Sequence, residues 1–434
     1  MKLYYILFFI ILLPLYASSQ SNEWIWTAIS PLPLETTNNA LASGSVAGEK
    51  YVYSFGGITD SLHISDIHQH VFKYTVSENT WTEMSPLPDT LGKIGSRASQ
   101  INNKIYVIGG KHILADSTEI SSDRVHVYNI FLDTFELDAN PLPFPVHDHV
   151  QTVWRDSLIF VISGQSNGSN LSEVQVFNPY FSSWLSGTSV PNDNQFKAFG
   201  ASGYILGDTI YYYGGAEDST LPTATKKLRK GVINPDNPTD ISWEVSNSQP
   251  QTTHFLGASS GHNNTMFWVG GSKDAYRFNT MKYDTNQLAN PLNYLIEYNI
   301  KNNNYQYWEI PSSMMDLRSI AKLGGGNWII AGGVDSLHLA SNHAFLLHNA
   351  NLTDFDKAQQ PPYFQISSIG EYYIAKTENI GSILVYDLAG RVLFKSNKHL
   401  ADLIIPKSRL SKGILLFVYE DNFNLPVLIK KVNP

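Results

Sequence analysis

Two imidazoles flank a carboxylate at His147-Asp148-His149. In an extended segment this alternation aims both rings to one side, and imidazole is both the commonest side-chain metal ligand and a group that titrates near neutrality. Arg97, in Ser96-Arg97-Ala98, and Arg318, in Leu317-Arg318-Ser319, add two guanidinium forks of the kind that suits carboxylates and sugar acids. His112, Lys197, Glu217, His254 and Arg277 complete the polar candidates, with Asp274 and Lys282 flanking the last in a long segment from Ser272 to Asn293. Solvated or structural loop charges would show the same residue types. The triplet also guarantees no third ligand, so neither a metal nor a cofactor is expected.

Several chemistries are excluded by residue type. The chain of 434 residues has no cysteine, which removes disulfides, thiolate metal sites and thiol nucleophiles. It contains no glycine-rich phosphate loop, His-Glu-x-x-His helix or Gly-x-Ser-x-Gly elbow. The formal net charge is -8, and because residues 361 to 434 carry 9 basic and 6 acidic side chains, the remainder is the more acidic part. An acidic body argues against nucleic acid as partner. Residues Met1-Lys2, the apolar run Leu3 to Leu15 and the small-residue stretch Ala17-Ser18-Ser19 predict a secretory leader over 1–19. The expected location is therefore secreted or cell-surface.

The elements that would position these residues come from one recurring unit, a hydrophobic strand closed by a glycine pair. It appears as Tyr51-Val52-Tyr53-Ser54-Phe55-Gly56-Gly57 and Ile105-Tyr106-Val107-Ile108-Gly109-Gly110, and four more times with closing glycines at 164, 215, 271 and 333. The intervals of 53, 54, 51, 56 and 62 residues fit a four-stranded unit with variable loops. Ser163 replaces one glycine of the third pair. Downstream come a second aromatic strand and an aromatic residue seven positions after its last ring: Tyr74 with Trp81, Tyr128 with Phe135, Phe177 with Trp184. Tyr298 with Trp308 repeats the idea at longer spacing, and the fourth unit keeps only Trp243. Pro-Leu-Pro corners follow at 86–88 and 141–143.

This pattern resembles the Kelch repeat family, over roughly residues 24 to 355. The resemblance implies an all-β, six-bladed Kelch-type β-propeller over residues 22–358. The sixth unit lacks its Trp and Pro-Leu-Pro strand, whereas Trp24-Ile25-Trp26-Thr27 and Pro31-Leu32-Pro33 stand at the N-terminus, so that segment is expected to close the ring by pairing with the last blade. On such a fold, the loops after the glycine pairs and those entering each blade share one face. Nine of the 13 histidines, among them His63, His68, His70, His338 and His343, are expected on it. Galactose-oxidase-like chemistry, which some members carry, needs a cysteine that is missing. The bacterial Kelch sialic-acid mutarotases offer the enzymatic alternative, in which position alone would make Glu217 a general base and Arg277 a carboxylate anchor.

After Gln359-Gln360-Pro361-Pro362 the glycine-pair rhythm stops and short strands follow. Tyr386-Asp387-Leu388-Ala389-Gly390-Arg391 reads as a hairpin, Leu410-Ser411-Lys412-Gly413 as a turn into a strand, and Lys430-Lys431-Val432 closes the chain. In that order these motifs resemble the C-terminal sorting domain of the type IX secretion system. The resemblance implies a small Ig-like β-sandwich over residues 362–434 and an outer-membrane secretion machinery as partner; an ordinary accessory sandwich is the alternative. The preferred reading is an exported, monomeric binding module that recognises a glycan or protein through its loop face. A mutarotase-like isomerase and a structural spacer are the alternatives.

Overall fold

The computed structural model describes residues 24–46, 48–59, 64–217, 222–276 and 287–352, together with seven shorter segments between 364 and 432. The leader residues 1–19, His63, Arg277 and Lys282 lie outside the described residues. Among those described there is no α-helix.

Six four-stranded antiparallel sheets account for the body of the chain. Their first strands are Ala40–Val46, Arg97–Ile101, Val150–Trp154, Phe199–Leu206, Ala258–His262 and Ala321–Gly324. The second strand of each is the hydrophobic run that ends at a glycine pair. From sheet one to sheet five successive first strands touch, and that of sheet six touches sheet one. Sheets five and six share the cluster around Trp24, Phe267 and Trp328. Burial of such apolar and aromatic surface between neighbouring sheets is the main force holding them face to face.

The glycine pairs sit where two sheets approach too closely for a side chain. Gly109 and Gly110 have φ of 66° and 95°, and the Gly110 N–H donates to the Val146 carbonyl of the next entry loop at 2.9 Å. A Cβ on Gly109 would collide with that same carbonyl oxygen. Ser163 takes the first position of the third pair at φ 52°. Its hydroxyl donates toward Leu171 O at 2.9 Å or Ala198 O at 3.0 Å and accepts the Ala198 N–H at 2.9 Å, which ties the turn to the segment entering sheet four.

The seven-residue aromatic spacing is a hairpin register. Tyr74 lies opposite Trp81, Tyr128 opposite Phe135 and Phe177 opposite Trp184. In the fifth sheet the expected Tyr298–Trp308 correspondence does not hold. Tyr298 faces Tyr305, stacked at 4.4 Å, so the spacing of seven is kept with tyrosine in the partner position. Trp308 pairs instead with Leu295, because the turn at Asn299–Asn304 fixes the register and Trp308 is three residues further out. The outer tryptophans also bridge sheets: Trp81 donates to Ser30 O, Trp184 to Asn140 O and Trp243 to Thr188 O, each at 2.8 Å.

Residues Ile25–Ile29 pair antiparallel with Ala344–His348, from Ile25 opposite His348 to Ile29 opposite Ala344. The start of the described chain thus supplies the fourth strand of a sheet whose other three come from residues 321–348. Further along, a three-stranded sheet and a four-stranded sheet share a core of Tyr373, Ala375, Ile383, Val385, Ile405, Leu415, Phe417 and Tyr419. There the Tyr-Asp-x-x-Gly-Arg motif has a mechanical basis. The Asp387 carboxylate takes the Arg391 N–H at 3.0 Å and its Nε–H at 2.8 Å, bracing the hairpin.

Candidate functional site: a cavity among the first strands

Each of the six sheets is entered through one residue with left-handed backbone: Asn38, Gly95, Asp148, Gly200, Leu256 and Asp316, with φ between 51° and 71°. The conformation is uncommon for non-glycine residues and for leucine is an outlier, so the surrounding bonds must enforce it. Those bonds run from sheet to sheet. The N–H of Asp148 donates to Gly95 O at 2.9 Å, that of Gly200 to Asp148 O at 2.7 Å, and that of Leu256 to Gly200 O at 2.9 Å. Between the sixth sheet and the first, side chains take over: Thr37 Oγ1 donates to Asp316 Oδ2 at 2.8 Å and the Asn38 amide donates to the same oxygen.

Two residues beyond these positions stand Arg97 and Arg318, where the other sheets carry Ala40, Val150, Ser202 and Ala258. Both guanidiniums reach between sheets. Arg97 donates from one terminal nitrogen to the Arg318 carbonyl and from the other to Ala201 O at 2.9 Å, joining sheets two, six and four. Arg318 pairs with Asp316 Oδ1 at 2.8 Å, donates to Asn38 Oδ1, and brings its Nε within 2.8 Å of Asp148 Oδ1. That last approach is an ion pair whose N–H does not point at the oxygen, since neither atom has a hydrogen-bond partner. Burial opposes the charge on Arg318, but Asp148 and Asp316 more than offset it and raise its affinity for the proton. Asp148, despite burial, is held far below the ordinary carboxylate range by Arg318 and His147. Arg97 has no carboxylate bonded to it. Burial, with the Arg318 charge adding, pushes it down to about 9, so it remains cationic at neutral pH.

Of the histidines expected on the loop face, His70 and His343 are exposed, but the three nearest the sheet entries are interior groups. His147, His149 and His254 are 2%, 0% and 0% exposed. His147 Nδ1 contacts Asp148 Oδ2 at 3.0 Å, His149 Nε2 contacts Gln151 Oε1 at 3.1 Å, and His254 Nε2 contacts Gly270 O at 3.2 Å while its ring stacks on Tyr213. Burial lowers all three, His149 to about 3 and His254 to about 4. The cause is the left-handed entry, which turns the flanking side chains into the sheet-to-sheet packing instead of toward solvent. His112 is half-buried, with Nδ1 3.1 Å from Gly92 O and Nε2 3.7 Å from Asp89. Glu217 is half-buried and paired with Lys227 at 3.0 Å, and Lys197 is half-buried in the turn after Asp193. Arg277 is outside the described residues, so its expected partnership with Glu217 has no geometry. No group of three or more histidines, aspartates and glutamates among the described residues could hold a metal ion.

Open space lies on the other side of the two arginines. A cavity of about 500 Å³ is lined by all six first strands. Arg97 and Arg318 bound it at one end; at the other it reaches Ser45, Lys50, Asp156 and Gly324, in or beside the turns that join first strands to second strands. Its wall combines hydroxyl and amide groups from Ser99, Gln151, Tyr204, Ser259 and Ser260 with apolar surface from Leu41, Val153, Ile320 and Leu323. Two lysines enter it. Lys322 Nζ donates to Gly261 O at 3.1 Å and Tyr204 Oη at 3.3 Å, and Lys50 Nζ donates to Leu323 O at 2.6 Å. Of the residues singled out in the sequence that are described, Arg97 and Arg318 line this space and the others do not. The missed ones had a faint signal, the small polar runs Ser43-Gly44-Ser45, Ala201-Ser202-Gly203 and Ser259-Ser260-Gly261 before the hydrophobic strands.

The chain is similar to a solved structure and to several known proteins. The solved structure of YjhT superposes with a TM-score of 0.59 at 13% identity, covering 76% of this chain and 98% of that one. That likeness in fold, with the relatives that carry kelch motifs, supports a Kelch-type propeller. No family model matches the sequence. An N-acetylneuraminate epimerase from Pasteurella multocida is 22% identical over 317 residues, 61% of this chain and 82% of its own length. A Rab9 effector protein with kelch motifs from Bos taurus is 23% identical over 203 residues, 44% of this chain, and its counterpart from Xenopus laevis is 30% identical over 140 residues. The chain spans half or less of those two effector proteins.

Proposed function

We propose that this protein is a binding module whose Kelch-type propeller takes a small polar ligand, such as a glycan terminus, in the cavity among its first strands. The observation that carries this reading is the cavity itself. Its volume of about 500 Å³ lies within the ordinary range of small-molecule sites, about 300–1,000 Å³, and its wall converges hydroxyls, amides and cations from six separate strands. Protein partners on the outer loops are compatible with the same fold. On this reading the six sheets are six blades, closed by the pairing of Ile25–Ile29 with the last, and the propeller occupies residues 22–358. Residues 362–434 form an Ig-like sandwich that acts as a type IX sorting domain, with 1–19 as the leader of a secreted or surface-displayed monomer. The test of binding is a glycan array probed with the purified full chain: specific hits support the module, and a blank array together with no calorimetric binding of small sugars removes it. The test of export is deletion of residues 362–434, after which unchanged release into the medium removes the sorting role.

An isomerase acting on sialic acid is the second reading, favoured by the match across 82% of an N-acetylneuraminate epimerase. Its acid–base group would be Glu217, which must then leave Lys227. Anomer exchange of free sialic acid followed by NMR, abolished in Glu217→Gln, would establish it; an unaccelerated exchange would remove it.

A further inference from the structure

The cations of this acidic chain are distributed unevenly. Lys73, Lys104, Arg124, Lys227, Lys230 and Arg391 each meet a carboxylate within 3.4 Å. Among the described residues Arg97, Lys50 and Lys322 do not: their hydrogen bonds go to carbonyls and one tyrosine hydroxyl, and all three line the same cavity. Arg97 is 5% exposed and its Nε–H has no hydrogen-bond partner. A buried guanidinium with neither a bonded carboxylate nor a full set of acceptors is costly, because the charge of nearby Asp148 only partly repays its desolvation and the repulsion from Arg318. Among the described residues Asp156 is the one acidic residue lining the cavity, and it lies exposed at the end away from Arg97.

The geometry points to a seat for an oxyanion: the cavity takes a small molecule bearing a carboxylate or phosphate, its charged end toward Arg97 and its entry through the turns between first and second strands. This rests on the cavity being the ligand site, and it places entry on the face opposite the loops that follow the glycine pairs. The direction follows from the two ends. On the loop side Arg97 and Arg318 are 5% and 2% exposed and bonded from sheet to sheet, so passage there would break Arg318–Asp148 and Arg318–Asp316. On the turn side Ser45, Lys50 and Asp156 are exposed. Lys50 at the rim and Lys322 deeper in hold their ammonium groups on neutral acceptors, which leaves their charge available to an incoming anion. Charge-assisted bonds of this kind are about twice as strong as neutral ones.

Calorimetric titration of the full chain at low salt with glucuronate, glucose 6-phosphate, inorganic phosphate and glucose tests the seat. The two anionic sugars should bind roughly tenfold or more tighter than glucose. Lys322→Gln and Lys50→Gln should each weaken them several-fold, while Lys230→Gln, on an outer strand, leaves them unchanged. Binding of glucuronate but not inorganic phosphate would assign the carboxylate; the reverse would assign the phosphate. If glucose binds as tightly as the acids, or if both cavity lysine variants bind like the parent chain while melting at the same temperature, the oxyanion seat is wrong and the cavity reading stands. If no sugar binds and the glycan array is blank, both fall.

Discussion

The indole N–H of Trp24 donates to Glu297 Oε2 at 2.9 Å, joining the start of the described chain to the fifth sheet across 273 residues. Trp308 donates to the same oxygen at 3.2 Å, and Trp24 packs on Phe267 at 4.6 Å and Trp328 at 5.5 Å. The contact fixes the first strand where its pairing with Ala344–His348 completes the sixth sheet.

Trp24 is 6% exposed, so Trp24→Ala removes a large buried ring together with one donor to a buried acceptor. The expected loss is about 3–5 kcal/mol, read from urea denaturation of the full chain. A loss below about 1 kcal/mol would show that the seam holds without it. Burial raises the Glu297 carboxyl, which its two indole donors only partly offset. A carboxyl raised on folding adds stability at low pH that fades as pH climbs through its folded value. Glu297→Gln keeps an oxygen for both indoles and removes that penalty, so at pH 7 its melting temperature should equal or exceed that of the parent.

Acid should weaken the propeller before carboxylates at their ordinary values titrate. His149 and His254 are fully buried and lowered to about 3 and 4, whereas in the unfolded chain they titrate near the ordinary value of about 6.5. The unfolded state therefore binds more protons below pH 6.5. Stability is complete above that point and declines as pH falls toward 4, by about 1.4 kcal/mol per pH unit for each group. Denaturation midpoints at pH 7, 6 and 5 should show the slope, and His254→Gln should flatten it; a stability that is constant over this range would refute the neutral assignment.

Most of the fold was legible in the sequence, because glycine pairs, cross-strand aromatics and the terminal Trp-Ile-Trp strand are local signals. The fifth sheet was misread where Tyr305, Tyr307 and Trp308 offered three rings within four residues and only the turn decides which faces Tyr298. The site was legible in part. Arg97 and Arg318 stood out as arginines, but apart from Asp316 beside Arg318 their partners lie between 104 and 280 residues away and leave no spacing to read. Nor did the histidines announce their burial, since the left-handed entry that turns them inward is carried by residues as different as Asn38, Leu256 and Asp316.

Ser163 offers a test of the one departure from the glycine pair. Its hydroxyl exchanges bonds with the segment entering the fourth sheet, so Ser163→Ala keeps the left-handed strain and orphans the buried Ala198 N–H. Ser163→Gly orphans the same group but relieves the strain, worth about 1–2 kcal/mol. The alanine variant should therefore lose about 2–3 kcal/mol and the glycine variant less; the opposite order would mean that the turn tolerates a side chain without the hydroxyl.

Arg318 and Asp148 carry the sharpest energetic claim. Asp148→Asn retains the shape and the left-handed backbone, to which asparagine is suited, but removes one of two counter-charges from a guanidinium 2% exposed. Breaking a buried pair by removing one partner costs about 3–5 kcal/mol, and because Asp316 still holds the Nη1 nitrogen the low end applies. In a double-mutant cycle with Arg318→Met, the second change should recover part of the loss, since the uncompensated charge leaves with the arginine. Additive losses would show instead that the two residues act through packing alone, and that the cluster bounding the cavity is not electrostatic in origin.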